Sequence, residues 1–555
     1  MYEIGSPIFD KSGIHLANGK QFTTVAHHVS AQNKYIQSAQ LNGKPHEQAV
    51  VRPVRYCQRG KRLAEDGGIG RMCNGTALVR PFRLPCMKKA LPHTEPNDRW
   101  IRRAVKKAEV AVAPHSLEFP SRRKLLSLGV AAGVVTCLDG SEPAHAAEPS
   151  DQAALHEINV KSFGAAGDAV AEDTAAFQRA LDAAHEARGG VVYAPPGRYL
   201  FRGTLVVPDG VTLRGSFSCV PSHNGIRDRG QPRPGDVGTA LLVTAGRGRE
   251  DGEPFLTLNT NSSVSGLTIY YPEQIFDGPP VAYPWAIAMR GKNPAAIDLE
   301  LLNPYQGIDA SRNERHNIRN ISGQPLRRGI WVDAIYDIGR IENVHFNPWW
   351  NSHGAVYRWQ TENGEAFIFG RADWEYVLNT FCFGYRVGYK FVRSATGECN
   401  GNFLGIGADD CNRAVLVEQS AEFGLLIANA EFTSFHGDDP TMVEVLGTNK
   451  GVVRVSNSAF WGPCNQIAKI GGQGTVGFSD CTFVQWGKQG DRAAIQASSG
   501  SVLIRGCEFR QKKQHIFLGE SVERAVITGN LFAGPAKIQN VSHNDVQIGL
   551  NAASG

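Results

Sequence analysis

Four stretches near the end of this 555-residue chain align without a gap: VRVSNSAF (Val453 to Phe460), VGFSDCTF (Val476 to Phe483), VLIRGCEF (Val502 to Phe509) and AVITGNLF (Ala525 to Phe532). Their terminal phenylalanines fall 23, 26 and 23 residues apart. A strand pattern that recurs at such a period cannot bury its inner face alone and has to stack on the next copy, which is the mark of a solenoid. Aligned positions then become ladders. Phe460, Phe483, Phe509 and Phe532 are expected to form one, and Ser458, Cys481, Cys507 and Asn530 another. Looser copies run from Val264 to Tyr271, Ile338 to Phe346 and Leu425 to Phe432.

Working upstream, a helical pattern with Phe177, Ala180, Leu181 and Ala184 on one face follows Glu172-Asp173-Thr174. Asp173 or Thr174 is expected to cap its start, and Gly189-Gly190 to end it. Short strands and sharp turns come next: Val191-Val192-Tyr193, the turn Pro195-Pro196-Gly197, Tyr199-Leu200-Phe201, Leu205-Val206-Val207 and Val211-Thr212-Leu213. The fold class expected from these residues is all-β, a solenoid of short stacked strands preceded by one helix.

With NVKSFGAAGD (159–168), EDTAAFQRAL (172–181), GGVVYAPPGRY (189–199) and VTLRG (211–215) in view, the chain resembles the opening of pectin-lyase-like parallel β-helix proteins. More narrowly, it resembles the pectate-lyase-superfamily branch grouped with rhamnogalacturonase and epimerase domains. The resemblance is specific over residues 157 to 216 and implies an all-β, right-handed single-stranded parallel β-helix with a short N-terminal capping helix that plugs the open end of the coil. Members of that family include hydrolases, lyases, epimerases and phage tailspikes, so the motif reports fold and the chemistry has to come from a site.

Apolar residues at 42% and charged residues at 20% exclude a disordered, collagenous or membrane-bundle chain. The net charge of +5 is unevenly placed: residues 1–147 carry 22 Lys+Arg and 11 Asp+Glu, and the remainder carries 36 and 42, a net of −6 that repels nucleic acid. Within the basic part, Ser121-Arg122-Arg123-Lys124-Leu125-Leu126, an apolar run from Leu128 to Leu138 and Ala144-His145-Ala146 resemble a twin-arginine export signal over residues 121–147, too short to span a bilayer. The expected product is periplasmic or secreted, bacterial, and free of the membrane once the signal is cleaved. Residues 1–120, which lack a sustained apolar period, are expected to be a non-native or disordered extension, with translation starting shortly before Ser121, for instance at the codon of Val110 or Val112. The β-helix domain is then 148–555. Its seven cysteines form no zinc-type spacing, and no metal is expected; as twin-arginine cargo is typically folded before export, the thiols are expected to stay reduced in the core.

A parallel β-helix offers a long groove that suits a polymer, so the expected partner is a polysaccharide. Aromatic residues gather between 349 and 391, with Trp349, Trp350, Trp359 and Trp374 among them as sugar platforms. Trp349 and Trp350 are adjacent and cannot both point inward on one strand. Asp373 and Glu375 flank Trp374, are expected to share a strand face with Arg371, and make one candidate carboxylate pair for glycoside cleavage. A second is Asp409-Asp410-Cys411, followed by Phe435-His436-Gly437 and Lys469-Ile470, an order similar to polygalacturonase-type hydrolases. That resemblance implies that Asp409 and Asp410 are acid and base, that His436 orients them and that Lys469 holds a uronate carboxylate. It lacks the family's third carboxylate, because Asn379-Thr380 is followed by Phe381, and Phe435 stands where a glycine is usual.

The activity expected is hydrolysis of an acidic, uronate-containing glycan without a cofactor. A polysaccharide lyase is the alternative, with calcium held by Asp438 and Asp439, and a non-catalytic glycan binder is a further one.

Overall fold

A computed structural model of the chain describes residues 157–223 and 231–554, together with strand backbone at 2–3, 11–15, 21–26, 40–41, 44–45, 50–51 and 77–79. The chain divides into two units, Met1–Ser141 and Glu142–Gly555. In the first, Lys11–His15 pairs antiparallel with Gln21–Ala26, which pairs in parallel with Ala77–Val79. The leader expected at 121–147 and most of the extension expected at 1–120 lie outside the described residues.

The second unit is a right-handed parallel β-helix, and its strands join into one sheet of 37. Each full turn adds a strand to each of three columns. Val452–Ser456, Ala459–Phe460 and Gln466–Ile470, for example, lie in register under Thr475–Ser479, Thr482–Phe483 and the start of Ile495–Arg505. The phenylalanine ladder forms as expected, with ring centroids 5.2 Å apart for Phe460 and Phe483, 4.8 Å for Phe483 and Phe509, and 4.9 Å for Phe509 and Phe532. It runs back through Phe432, Ala408, Cys382 and Phe346.

The corner between the first and second columns is built by left-handed residues. Asn320, Asn343, Asn379, Asn429, Asn457 and Asp480 occupy it with φ between 47° and 57°, a conformation open to Asn and Asp because a short polar side chain bonds locally. These side chains also tie turn to turn: Asn343 donates to Asn320 at 3.2 Å and Asn457 to Asn429 at 2.8 Å. Inside the same corner Asn530 accepts from the Cys507 amide at 2.9 Å. The seven cysteines among the described residues are all unpaired, and six are buried.

Helix α1, Thr174–Glu186, buries the expected face of Phe177, Ala180, Leu181 and Ala184 over the first turns. Phe177 meets Tyr199 and Phe201 edge-on at 5.0 and 4.9 Å. Asp173 does not cap it. Its carboxylate instead accepts from the amides of Ala166 at 2.6 Å and Gly167 at 3.2 Å, pinning the opening loop, and Glu172 takes the Thr174 amide.

The outer face of the second column is covered in the early turns and open later. The buried Glu300 carboxylate accepts from the His223 amide at 2.6 Å and from Thr268 at 2.9 Å. Farther along, helix α2, Gly354–Asn363, and the preceding loop lay Trp350 and Val356 on Leu242, Tyr270, Leu302 and Leu326, an apolar cluster outside the coil. From His345 onward this face is free.

Candidate active site

The second-column strand Gly407–Cys411 runs parallel to Glu431–Ser434, with Ala408 opposite Phe432 and Cys411 opposite Ser434. Asp409 and Asp410 therefore both stand against Thr433 alone. This is a β-bulge, and Asp410 takes φ 50° to make it. Bulges are uncommon in parallel sheets and re-aim side chains beside active sites. Here the bulge turns Asp410 toward the corner with the third column, where His436 opens the following loop and α2 overhangs from an earlier turn.

Three side chains meet there. The Tyr357 hydroxyl donates to Asp410 Oδ2 at 2.6 Å, and His436 Nδ1 lies 3.0 Å from Asp410 Oδ1. The Asp410 side chain is 9% exposed and that of His436 36%. Gly384 lets Tyr357 come this close, since a Cβ there would lie 2.5 Å from the ring. The ion pair with Asp410 holds the His436 imidazole above its usual range. Burial, reinforced by the hydrogen bond to Asp410, pushes the Tyr357 phenol far up, so it stays protonated. Burial also lifts Asp409 to about 6, helped by the charges of Asp410 and Glu431.

Lys488, exposed on a loop from a later turn, donates to the Phe435 carbonyl at 3.3 Å and sets an ammonium beside His436. Along the column, His345 stacks edge-on with Trp349 and Phe381, each at 5.2 Å, and Trp461, 43% exposed, follows Phe460 on the other side of the bulge. On the third-column face a pocket of about 500 Å³ lies between Trp285 and Trp331, with Arg312, Glu365, Ile368 and Lys390 in its walls. Glu365 begins the strand that directly follows α2.

Asp409, Asp410 and His436 are thus brought together as the sequence suggested, and Tyr357 and Lys488 are additions. Lys469 is held by Asp439, which also takes Arg492 at 2.8 Å. That double pairing leaves Asp439 a poor fit to calcium, and among the described residues no group of three or more His, Cys, Asp or Glu is placed to hold a metal.

Asp373 and Glu375 do not share a face. Trp374, with φ 90°, is an extra residue between Asp373, opposite Asn400, and Glu375, opposite Gly401. Asp373 lies outside with Arg371 at 3.3 Å, whereas Glu375 is fully buried against His316 at 2.9 Å. Trp350 is fully buried and is no platform, and Trp359 packs on Tyr305 at 5.9 Å. Trp349 faces outward as one of the adjacent pair had to, Trp461 is 43% exposed, and Trp285, Trp331 and Trp374 are partly exposed.

Comparison with known proteins defines the class. Residues 157–229 match the family model described as rhamnogalacturonase A/epimerase, pectate lyase-like, and residues 1–65 match one described as the glycosyl hydrolase family 92 catalytic domain. The N-terminal fragment of gene product 12 of bacteriophage Phi29 is 14% identical with a TM-score of 0.51, covering 72% of this chain and 70% of its own, a likeness of fold. The second unit is therefore a parallel β-helix whose opening turns, residues 157–229, are pectate-lyase-like. Two relatives come from Azotobacter vinelandii. Mannuronan C5-epimerase AlgE1 is 47% identical over 70 residues, 12% of this chain and 5% of that protein. Alginate lyase 7 is 51% identical over 57 residues, 10% and 7% respectively. The chain thus spans a small fraction of either relative.

Proposed function

We propose that this protein modifies a uronate-containing polysaccharide by removing the proton at C5 of the sugar, as a lyase or an epimerase. The observation that carries this reading is the commitment of both Asp410 oxygens, one to Tyr357 and one to His436. A glycosidase needs two carboxylates on either side of the scissile bond, one free to give a proton and one free to attack or activate water. Asp410 is nearly buried and already satisfied, so it serves the tyrosine and histidine instead. The names of the Azotobacter vinelandii relatives agree with a uronate substrate and with C5 chemistry.

In this reading, Asp410 holds the proton of His436 on Nδ1 and leaves Nε2 as the base toward C5. The charge that develops on the uronate carboxylate faces the Lys488 ammonium and Asp409. A bound uronate is a like charge beside Asp409 and raises it further above about 6, so its carboxyl stays protonated and donates to the substrate. Elimination breaks the bond from C4 to the glycosidic oxygen and forms a C4–C5 double bond, and the departing oxygen takes its proton from solvent. Epimerisation instead returns a proton to the other face of C5. The aromatic strip from Trp349 through Phe381 to Trp461 lies along the sugar chain. The leader at 121–147 would deliver the enzyme beyond the cytoplasm, which N-terminal sequencing of the exported product checks.

The test is incubation with polymannuronate and with polygalacturonate in D2O. Deuterium at C5, which an epimerase leaves, or an unsaturated product absorbing in the near ultraviolet, which a lyase leaves, is the expected result. New reducing ends with neither signal would overturn the proposal and restore hydrolysis.

A further inference from the structure

Where the third column turns into the first, the loops of successive turns enclose a pocket of about 430 Å³ that plays no part in the chemistry above. Its walls combine one aromatic ring with several hydrogen-bonding groups. Phe423 stands 68% exposed, Asn400 is 4% exposed, and Arg371, Asp373, Glu422 and Lys450 complete the lining. Arg371 is braced from behind by the Tyr336 ring at 4.7 Å and from the side by Asp373 at 3.3 Å, so its guanidinium is fixed.

Asn400 is the informative residue. It pairs in register with the outward Asp373, its residue is more than nine-tenths buried, and among the described residues its side-chain amide has no hydrogen-bond partner. Its amide opens onto the pocket, so a hydroxyl entering there would meet both a donor and an acceptor. Phe423 supplies a flat apolar face at the pocket's edge. A ring to stack on, an amide offering both donor and acceptor, and fixed charged groups of both signs fit a polyhydroxylated pyranose, with an apolar face and an equatorial belt of hydroxyls.

We propose that this corner pocket is a secondary docking site for one pyranose unit of a glycan chain. It rests on the reading of the protein as glycan-active but is distinct from the chemical step. The site and the Tyr357–Asp410–His436 cluster lie at opposite ends of the third-column strands. Five-residue strands such as Arg413–Val417 separate them by about 17 Å, at ~3.3 Å per residue. A neighbouring glycan chain, or a distant stretch of the one lying on the second-column strip, would reach the pocket. This assignment also gives Arg371 and Asp373, which the sequence had offered as catalytic, a place in substrate holding.

The experiment is affinity electrophoresis of the full chain in gels containing polymannuronate or, in a parallel arm, hydroxyethyl cellulose as a neutral glucan. Retardation in the first arm alone marks a uronate unit, and in both a pyranose of either kind. Phe423→Ala should weaken the retarding interaction about threefold to tenfold, the worth of one aromatic stacking contact. Asn400→Asp, which keeps the side-chain shape and removes the donor, should weaken it as well. Asp410→Asn should abolish turnover and leave retardation in place, which separates failure of the chemistry from failure of the docking site. Wild-type retardation in both Phe423→Ala and Asn400→Asp, or no retardation of the wild type in either gel, would overturn the proposal.

Discussion

Asp410→Asn tests the relay at its centre. The amide matches the carboxylate in shape, and the contacts can be traced atom by atom. Asn Oδ1 still accepts from His436 Nδ1 at the 3.0 Å position, and Asn Nδ2 donates to the Tyr357 oxygen, which rotates its hydroxyl away. Only the Tyr357 O–H loses its acceptor, so the stability change should stay near 1 kcal/mol, the worth of one altered hydrogen bond. The charge, by contrast, is gone. A unit charge at 3.0 Å amounts to about 5 kcal/mol at an effective dielectric of ~20. Because the His436 side chain is 36% exposed, solvent screening cuts this to roughly 1–2 kcal/mol.

The His436 imidazole, raised in the wild type by its bond to Asp410, should therefore titrate lower. The rising limb of the rate against pH moves down with it. Turnover should fall by at least about 100-fold, the lower end of what a positioned base contributes, because neither the tautomer of His436 nor the proton of Tyr357 is fixed any longer. The assay is C5 deuterium incorporation or release of the unsaturated product, followed from pH 5 to 9 beside a urea melt. Wild-type turnover with an unshifted limb, in a variant of unchanged stability, would refute the relay.

Asp409 is raised from 3.8 to about 6, so its folded state favours the protonated form and its ionisation opposes folding as pH rises from about 4 through about 6. Asp409→Asn should then be more stable than the wild type above pH 6 by about 1 kcal/mol, after a twofold to threefold discount for its partial exposure, with no gain at pH 4, as read by urea melts at both. His316→Ala strands the buried Glu375 carboxylate, one of whose oxygens already has no partner, and should cost about 3–5 kcal/mol in the same melts, against a smaller loss for Glu375→Gln. Phe483→Ala removes a fully buried ring between Phe460 and Phe509 and should cost about 3–5 kcal/mol, whereas Trp461→Ala should leave the melt unchanged and weaken substrate binding in the kinetic assay.

The solenoid was legible in the sequence because its period and its inward residues are set by the same stacking. The ungapped segments ending in Phe460, Phe483, Phe509 and Phe532 placed the ladder and its register, and the spacing of Phe177, Ala180, Leu181 and Ala184 placed the buried face of α1. The corner signal was present in the same alignment and passed over. Asn457, Asp480, Gly506 and Gly529 stand one residue before the Ser458, Cys481, Cys507 and Asn530 column, and all four have positive φ, a conformation that favours these residue types. Tyr357 and Lys488 were not legible as site residues. Each arrives on an excursion between columns of different turns, and no period relates them to Asp410.

Both carboxylate pairs chosen from the sequence straddle the same kind of irregularity, and it acts in opposite senses. Alternation places residues i and i+2 on one face only while the strand keeps its period of two. At Trp374 the added residue breaks that period, so that Glu375 swings into the interior while Asp373 stays outside and the expected pair is split. At Asp410 the added residue carries a carboxylate out of the ladder to the corner, where it meets a helix from an earlier turn and a loop from the next, and a group is assembled that adjacency alone would not make. In a solenoid the regular positions are spent on stacking, since every inward residue must match the turns above and below. A residue released from that register by a bulge is free to meet the long connections, so in this fold the departures from the repeat are where chemistry can be built.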